Sequence, residues 1–83
     1  MLELYHFESC PYCQKVRRKL EELDVSYVSH PSALGSKKRE FLAKLVPSVQ
    51  FPLLVDKDKN IVMIESEEIC KYLERNYGRS RAG

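Results

Sequence analysis

The chain has no tryptophan, and only three glycines, four prolines and three cysteines in 83 residues. Its longest fully apolar run is four residues, Ile61–Ile64, far short of the roughly 20 that a membrane-spanning helix needs. The same shortage leaves no core for a signal peptide, and Met1 leads straight into a strand-like segment, so a cytoplasmic protein with no membrane partner is expected. An excess of one charge is missing too. Fourteen Lys plus Arg against twelve Asp plus Glu leave a formal net charge of +2, too mild to argue for nucleic acid. Three cysteines are too few, and odd in number, for a disulfide-stapled secreted scaffold. The length allows one small core, hiding roughly 60–65% of the unfolded surface, and no separate substrate domain.

What is present is an ordinary globular composition, 43% hydrophobic. The basic residues gather in two runs, Lys15, Arg17, Arg18 and Lys19, then Lys37, Lys38 and Arg39. The plain reading of such runs is a solvated helix face; the second is a positive field for a small anionic ligand. A βαβ unit opens the chain. Leu2–Phe7 alternates as a strand, with Leu2, Leu4 and His6 on one face. A helix follows from Pro11, a residue suited to the first helical position, with Val16, Leu20 and Leu23 as its apolar stripe. Val25–Ser29 makes a second strand, parallel to the first because the crossover is right-handed. A loop spans His30–Gly35. Ser36 then caps a helix to about Leu45, with Phe41, Leu42 and Leu45 as its buried side.

Val46–Phe51 is irregular, with Pro47 an ordinary loop proline. Leu53–Val55 and Ile61–Ile64 form a hairpin whose unbroken apolar character implies cover on both faces, with Asp56 opening the turn. A last helix starts with Ser66 as N-cap, carries Glu67 and Glu68 in its first turn, buries Ile69, Leu73 and Tyr77, and stops at Gly78. The order is β-α-β-α-β-β-α: an α/β fold with a four-stranded mixed sheet flanked by three helices. Residues 1–78 are one domain and 79–83 a frayed tail.

Cys10 and Cys13 carry the chemistry. Cys10 falls between the first strand and the first helical residue, where free N–H groups and the positive end of the helix dipole favour thiolate over thiol. A helix terminus at a strand end is also an exposed place. Such a sulfur is both nucleophile and leaving group. Cys13, three residues on, shares its helix face, deeper and less acidic. One cysteine attacks and the other resolves. A zinc half-site is the plain alternative, but only His6, His30 and the distant Cys70 remain as further ligands. A cluster shared across a dimer is a second alternative. Cys70 and His6 are expected to be core residues and His30 to lie at the surface.

Cys10-Pro11-Tyr12-Cys13 after an aromatic-ending strand resembles the glutaredoxin active site. Phe51-Pro52-Leu53-Leu54-Val55-Asp56 resembles the cis-proline strand of thioredoxin-fold proteins, and Glu65-Ser66 with Ile69, Tyr72 and Leu73 resembles the glutathione transferase N-terminal domain. The likeness runs from Leu2 to Gly78. It implies a thioredoxin fold and a cis peptide between Phe51 and Pro52. It also implies a monomeric, glutathione-dependent thiol–disulfide oxidoreductase, with catalytic Cys10 and Cys13 forming a redox-active disulfide. Its cosubstrate is then glutathione, with no tightly bound cofactor and no metal, and its substrates are disulfide or glutathionylated proteins. Tyr12, Phe51, Pro52, Glu65 and Ser66 fall at the glutathione-binding positions. Gln50-Phe51 stands where glutaredoxins carry Thr-Val, and Glu65-Ser66 where they carry a Gly-Gly pair and an Asp. The residue for the glycyl carboxylate is therefore open among Lys37, Lys38, Lys44 and Gln50. Two other functions fit the same residues: a thioredoxin-like donor served by a flavoprotein reductase, and a non-enzymatic glutathione-binding or iron–sulfur-carrying module.

Overall fold

The computed structural model describes residues 1–45 and 49–78. The expectations for Pro47 and the 79–83 tail fall outside them. Strand β1 (Leu2–His6) alternates buried Leu2, Leu4 and His6 with half-buried Glu3 and Tyr5. Helix α1 (Pro11–Glu22) buries Cys13, Val16 and Leu20. Strand β2 lies at Tyr27–Pro31, two residues later than the sequence suggests. The displacement has a local cause. Asp24 takes a left-handed φ of 57°, and the Val25 N–H donates to the Leu20 carbonyl at 3.0 Å, so Val25 closes the exit from α1 instead of starting the ladder. Pro31 is tolerated because β2 is an edge strand. His30 is thereby drawn from the loop into the sheet.

Helix α2 (Lys37–Leu45) is capped as expected, the Arg39 N–H donating to Ser36 Oγ at 3.1 Å. Its buried side differs from the reading. Only Leu42 is buried, while Phe41 and Leu45 are 54% and 62% exposed. Leu42 and Arg39 share the inward face at i, i−3 spacing, and Arg39 packs on aromatic rings; that rotation turns Phe41 and Leu45 outward.

Strands β3 (Leu53–Asp56) and β4 (Ile61–Ile64) form the hairpin. The sheet order is β2-β1-β3-β4, with β1 parallel to β2 and antiparallel to β3. β3 is covered on both faces: Leu53 and Leu54 are buried. β4 is an edge, so the expected double cover fails there and Val62 is 59% exposed. Helix α3 (Ser66–Tyr77) starts one residue off the reading: Glu65 is the cap position, with φ 75° and no side-chain cap bond, and Ser66 is the first helical residue. Gly78 follows as C-cap in a right-handed conformation. One face of the sheet packs on α1 and α3 through Leu4, Leu54, Val16, Leu20, Ile69 and Leu73. α2 serves the other face, where Arg39 lies over Phe7, of the same strand parity as Glu3 and Tyr5. Among the described residues no helix is long and apolar enough to cross a membrane.

Asp56 does more than open a turn. Its carbonyl accepts the Lys59 N–H at 3.3 Å, but its carboxylate is fully buried and accepts the hydroxyls of Tyr72 and Tyr77 at 2.6 and 2.7 Å. Burial acts to raise that carboxyl. Hydrogen bonds from the two tyrosines and from the Lys59 and Asp58 amides outweigh it and hold the group below its ordinary value.

Candidate functional site

Three turns of chain meet at one end of the sheet and leave an open groove of about 690 Å³. The β1–α1 turn supplies Cys10 and Tyr12, the approach to β3 supplies Phe51 and Pro52, and the start of α3 supplies Glu65 and Ser66. These six residues, far apart in sequence, share one wall system. The Phe51–Pro52 peptide is cis. Its position turns the Phe51 carbonyl toward Cys10, whose Sγ–H donates to it across 4.0 Å. Ser66 is 7% exposed, and the N-terminus of α3 faces the groove beside it. Tyr12 projects from the rim, 64% exposed.

Cys10 is the N-cap of α1, and its sulfur accepts the Cys13 N–H at 3.3 Å. The residue is only 5% exposed, so the open placement expected of a helix terminus is corrected: Cys10 forms part of the groove wall. Cys13 lies behind it, fully buried and outside the groove. Burial first, then the neighbouring Cys10 sulfur, push the Cys13 thiol up to about 12, against smaller opposing effects from the Phe7 amide and Arg17. The two sulfurs are free thiols.

Of the four candidates for a carboxylate anchor, Gln50 lines the groove, whereas Lys37, Lys38 and Lys44 do not. Among the described residues, the cation that does is Arg39. Its guanidinium sits 4.6 Å from the Phe51 ring centroid and 5.3 Å from that of Phe7, and the two rings meet edge to face at 5.8 Å. Its Nε–H donates to the Ser32 carbonyl at 3.0 Å. One donor is used for anchoring and the remaining four belong to the fork that suits a carboxylate. The signal was present in the sequence as the last residue of the run Lys37-Lys38-Arg39, but only the phase of α2 separates it from its neighbours.

Glu67 also lines the groove, its carboxylate paired with Lys15, whereas His6, His30 and Cys70 lie away from it. His6 is buried, as expected, but only half satisfied: Nε2 pairs with Ser29 Oγ at 2.5 Å, while Nδ1 has no partner among the described residues. Burial, then Arg17 and His30, lower its pKa. His30 is not a plain surface residue. It stacks on Tyr5 with centroids 4.4 Å apart and pairs with Glu3 at 2.7 Å. Cys70 is partly buried beside the core. Among the described residues no three His, Cys, Asp or Glu side chains gather as a metal-holding set.

A sheet of order β2-β1-β3-β4, a cysteine at the first helix start and a cis-proline facing it define a thioredoxin-like domain. The chain belongs to the family of glutathione S-transferase N-terminal domains, whose model matches residues 4–81. Solved structures agree with that membership. The chain is similar to an epsilon-class glutathione S-transferase of the housefly Musca domestica, with TM-score 0.82 and 24% identity over 94% of this chain and 36% of that one. A transferase of the Antarctic clam Laternula elliptica gives TM-score 0.79 and 30% identity over 93% and 35%. Isozyme E7 of Drosophila melanogaster gives 0.78 and 31% over 94% and 35%. The chain thus spans about a third of the length of these transferases. No curated protein sequence matches it.

Proposed function

We propose that the domain binds glutathione in the groove and uses Cys10 for glutathione-dependent thiol–disulfide exchange. One observation carries this reading: Cys10 forms part of the groove wall, and its sulfur accepts the Cys13 amide at 3.3 Å and faces the Phe51 carbonyl. An N–H aimed at the sulfur stabilises negative charge there. The Phe51 backbone suits the cysteinyl part of glutathione. Ser66 and the amides of α3 suit the γ-glutamyl carboxylate, and Glu65 suits its ammonium. Arg39, with Gln50 beside it, suits the glycyl carboxylate.

The Cys10 thiolate attacks the glutathione sulfur of a mixed disulfide. A Cys10–glutathione bond forms and the protein thiolate leaves. The thiolate of a second glutathione attacks the glutathione sulfur bound to Cys10, releasing glutathione disulfide and the Cys10 thiolate. With a protein disulfide, Cys10 attacks one sulfur and Cys13, once deprotonated, attacks Cys10. The reduced protein leaves with its second thiolate, and two glutathiones reopen the Cys10–Cys13 bond, giving glutathione disulfide. Cys13, sealed and held at about 12, makes this second branch the slower one near neutrality. Cys10→Ser is therefore expected to abolish removal of glutathione from a glutathionylated protein, and Cys13→Ser to retain it within about threefold while losing reduction of internal protein disulfides. Equal loss in both variants overturns the assignment.

Family membership over residues 4–81 favours a second reading, conjugation of glutathione to an electrophile. Turnover of a chloronitrobenzene that survives Cys10→Ser, without mixed-disulfide turnover in the parent chain, selects it.

A further inference from the structure

Helix α2 presents a face that neither the core nor the groove uses. Phe41 and Leu45, one turn apart, are 54% and 62% exposed, and Leu34, in the loop before the helix, is 87% exposed. Lys37, Lys38 and Lys44 are exposed around them, and none enters an ion pair among the described residues. Four basic residues, Lys37, Lys38, Arg39 and Lys44, against the single carboxylate of Glu40 leave +3 on a nine-residue helix. The chain as a whole carries only +2, so its positive charge is concentrated here. The inward side of the same helix carries Arg39, which lines the groove together with Cys10, so the helix that bears this outward face also reaches the site.

We propose that the Phe41–Leu45 face of α2 docks the polypeptide substrate of the exchange reaction, through an apolar side chain set on Phe41 and Leu45 and acidic residues set against the lysines. The proposal rests on the exchange reading and adds the substrate class: a glutathionylated or disulfide-bonded cysteine flanked by apolar and acidic residues. Unpaired surface lysines steer such a segment toward the groove and select against basic ones. A second copy of the chain is the poorer occupant, because a two-fold interface through this face sets Lys37, Lys38 and Lys44 of one copy against the same lysines of the other.

The test uses the full chain and two synthetic peptides, each with a glutathionylated cysteine and a neighbouring leucine, one flanked by Asp and Glu and the other by Lys. A small glutathione mixed disulfide serves as reference. The acidic peptide is expected to turn over with kcat/KM about tenfold above the basic one at low ionic strength, an advantage that fades with salt. Phe41→Ser with Lys44→Glu removes the advantage and leaves the small mixed disulfide within about twofold. Equal rates for the two peptides, with the reference still turned over, overturn the proposal. So does binding of the chain to vesicles containing phosphatidylserine that Lys44→Glu abolishes, or a dimer that Phe41→Ser dissociates, without a peptide preference. If no mixed disulfide is turned over, the exchange reading has failed. Chemical-shift changes on α2 with the unreactive acidic peptide, against none with the basic one, then still support the docking surface, and their absence overturns it.

Discussion

The residue with the clearest consequence is Arg39. A guanidinium stacked on two phenylalanines and tied by Nε to Ser32 is held before any ligand arrives, so little rotamer freedom is lost on binding. Arg39→Gln is expected to raise the KM for glutathione about tenfold with little change in kcat, measured by steady-state kinetics at saturating mixed disulfide. Cys13 gives a second residue-level prediction. Its thiol, pushed up to about 12, is almost wholly protonated near neutrality. Closure of the Cys10–Cys13 bond is expected to accelerate about tenfold per pH unit from about pH 7 to 9, followed by quenched-flow release of glutathione from the charged enzyme. The tetrapeptide Cys10–Cys13 was legible because its chemistry is local: a helix start, a proline and a three-residue spacing. Arg39 was not, since three consecutive cations look alike until the phase of a short helix chooses one.

At the scale of elements, α2 is the least anchored of the three helices among the described residues. It buries one residue, Leu42, and its start depends on the hydroxyl of Ser36 accepting the Arg39 amide. Ser36→Ala is expected to cost about 1 kcal/mol by urea denaturation. Because the same helix carries Arg39, the substitution is also expected to raise the KM for glutathione. A stability loss without any change in KM would show that α2 keeps its place without the cap. Element order and type were readable from period and punctuation, since a four-strand, three-helix reading left few alternatives. Three details were not. β2 started late because Val25 was recruited to the end of α1. α2 faced differently because a cation packed inward. β4 lost its cover because position within a sheet is a tertiary property that an apolar run such as Ile61–Ile64 does not encode.

At the scale of the molecule, Asp56 joins the hairpin to α3 through Tyr72 and Tyr77. Tyr72→Phe takes one hydroxyl donor from a buried carboxylate and is expected to cost about 1–3 kcal/mol near neutrality, by thermal or urea unfolding. The pH dependence has two arms. The Asp56 carboxyl is held low in the folded state, so its contribution is present above the ordinary carboxylate value and fades as pH falls below it. Burial, then the hydrogen bond to Asp56, raise both tyrosines, Tyr77 to about 12. Their contribution is complete below the ordinary phenol value of about 10 and is lost as pH rises past it. In Tyr72→Phe both arms flatten, a change that unfolding at stepped pH detects. The meeting of three distant turns at one groove has a further consequence. Cys10 comes from the first quarter of the chain and Phe51, Pro52, Glu65 and Ser66 from the last half, so neither fragment of a chain severed in the Ala33–Gly35 loop owns a complete pocket. Activity restored on mixing the two pieces would report directly that they had found each other, turning catalysis into a gauge of assembly.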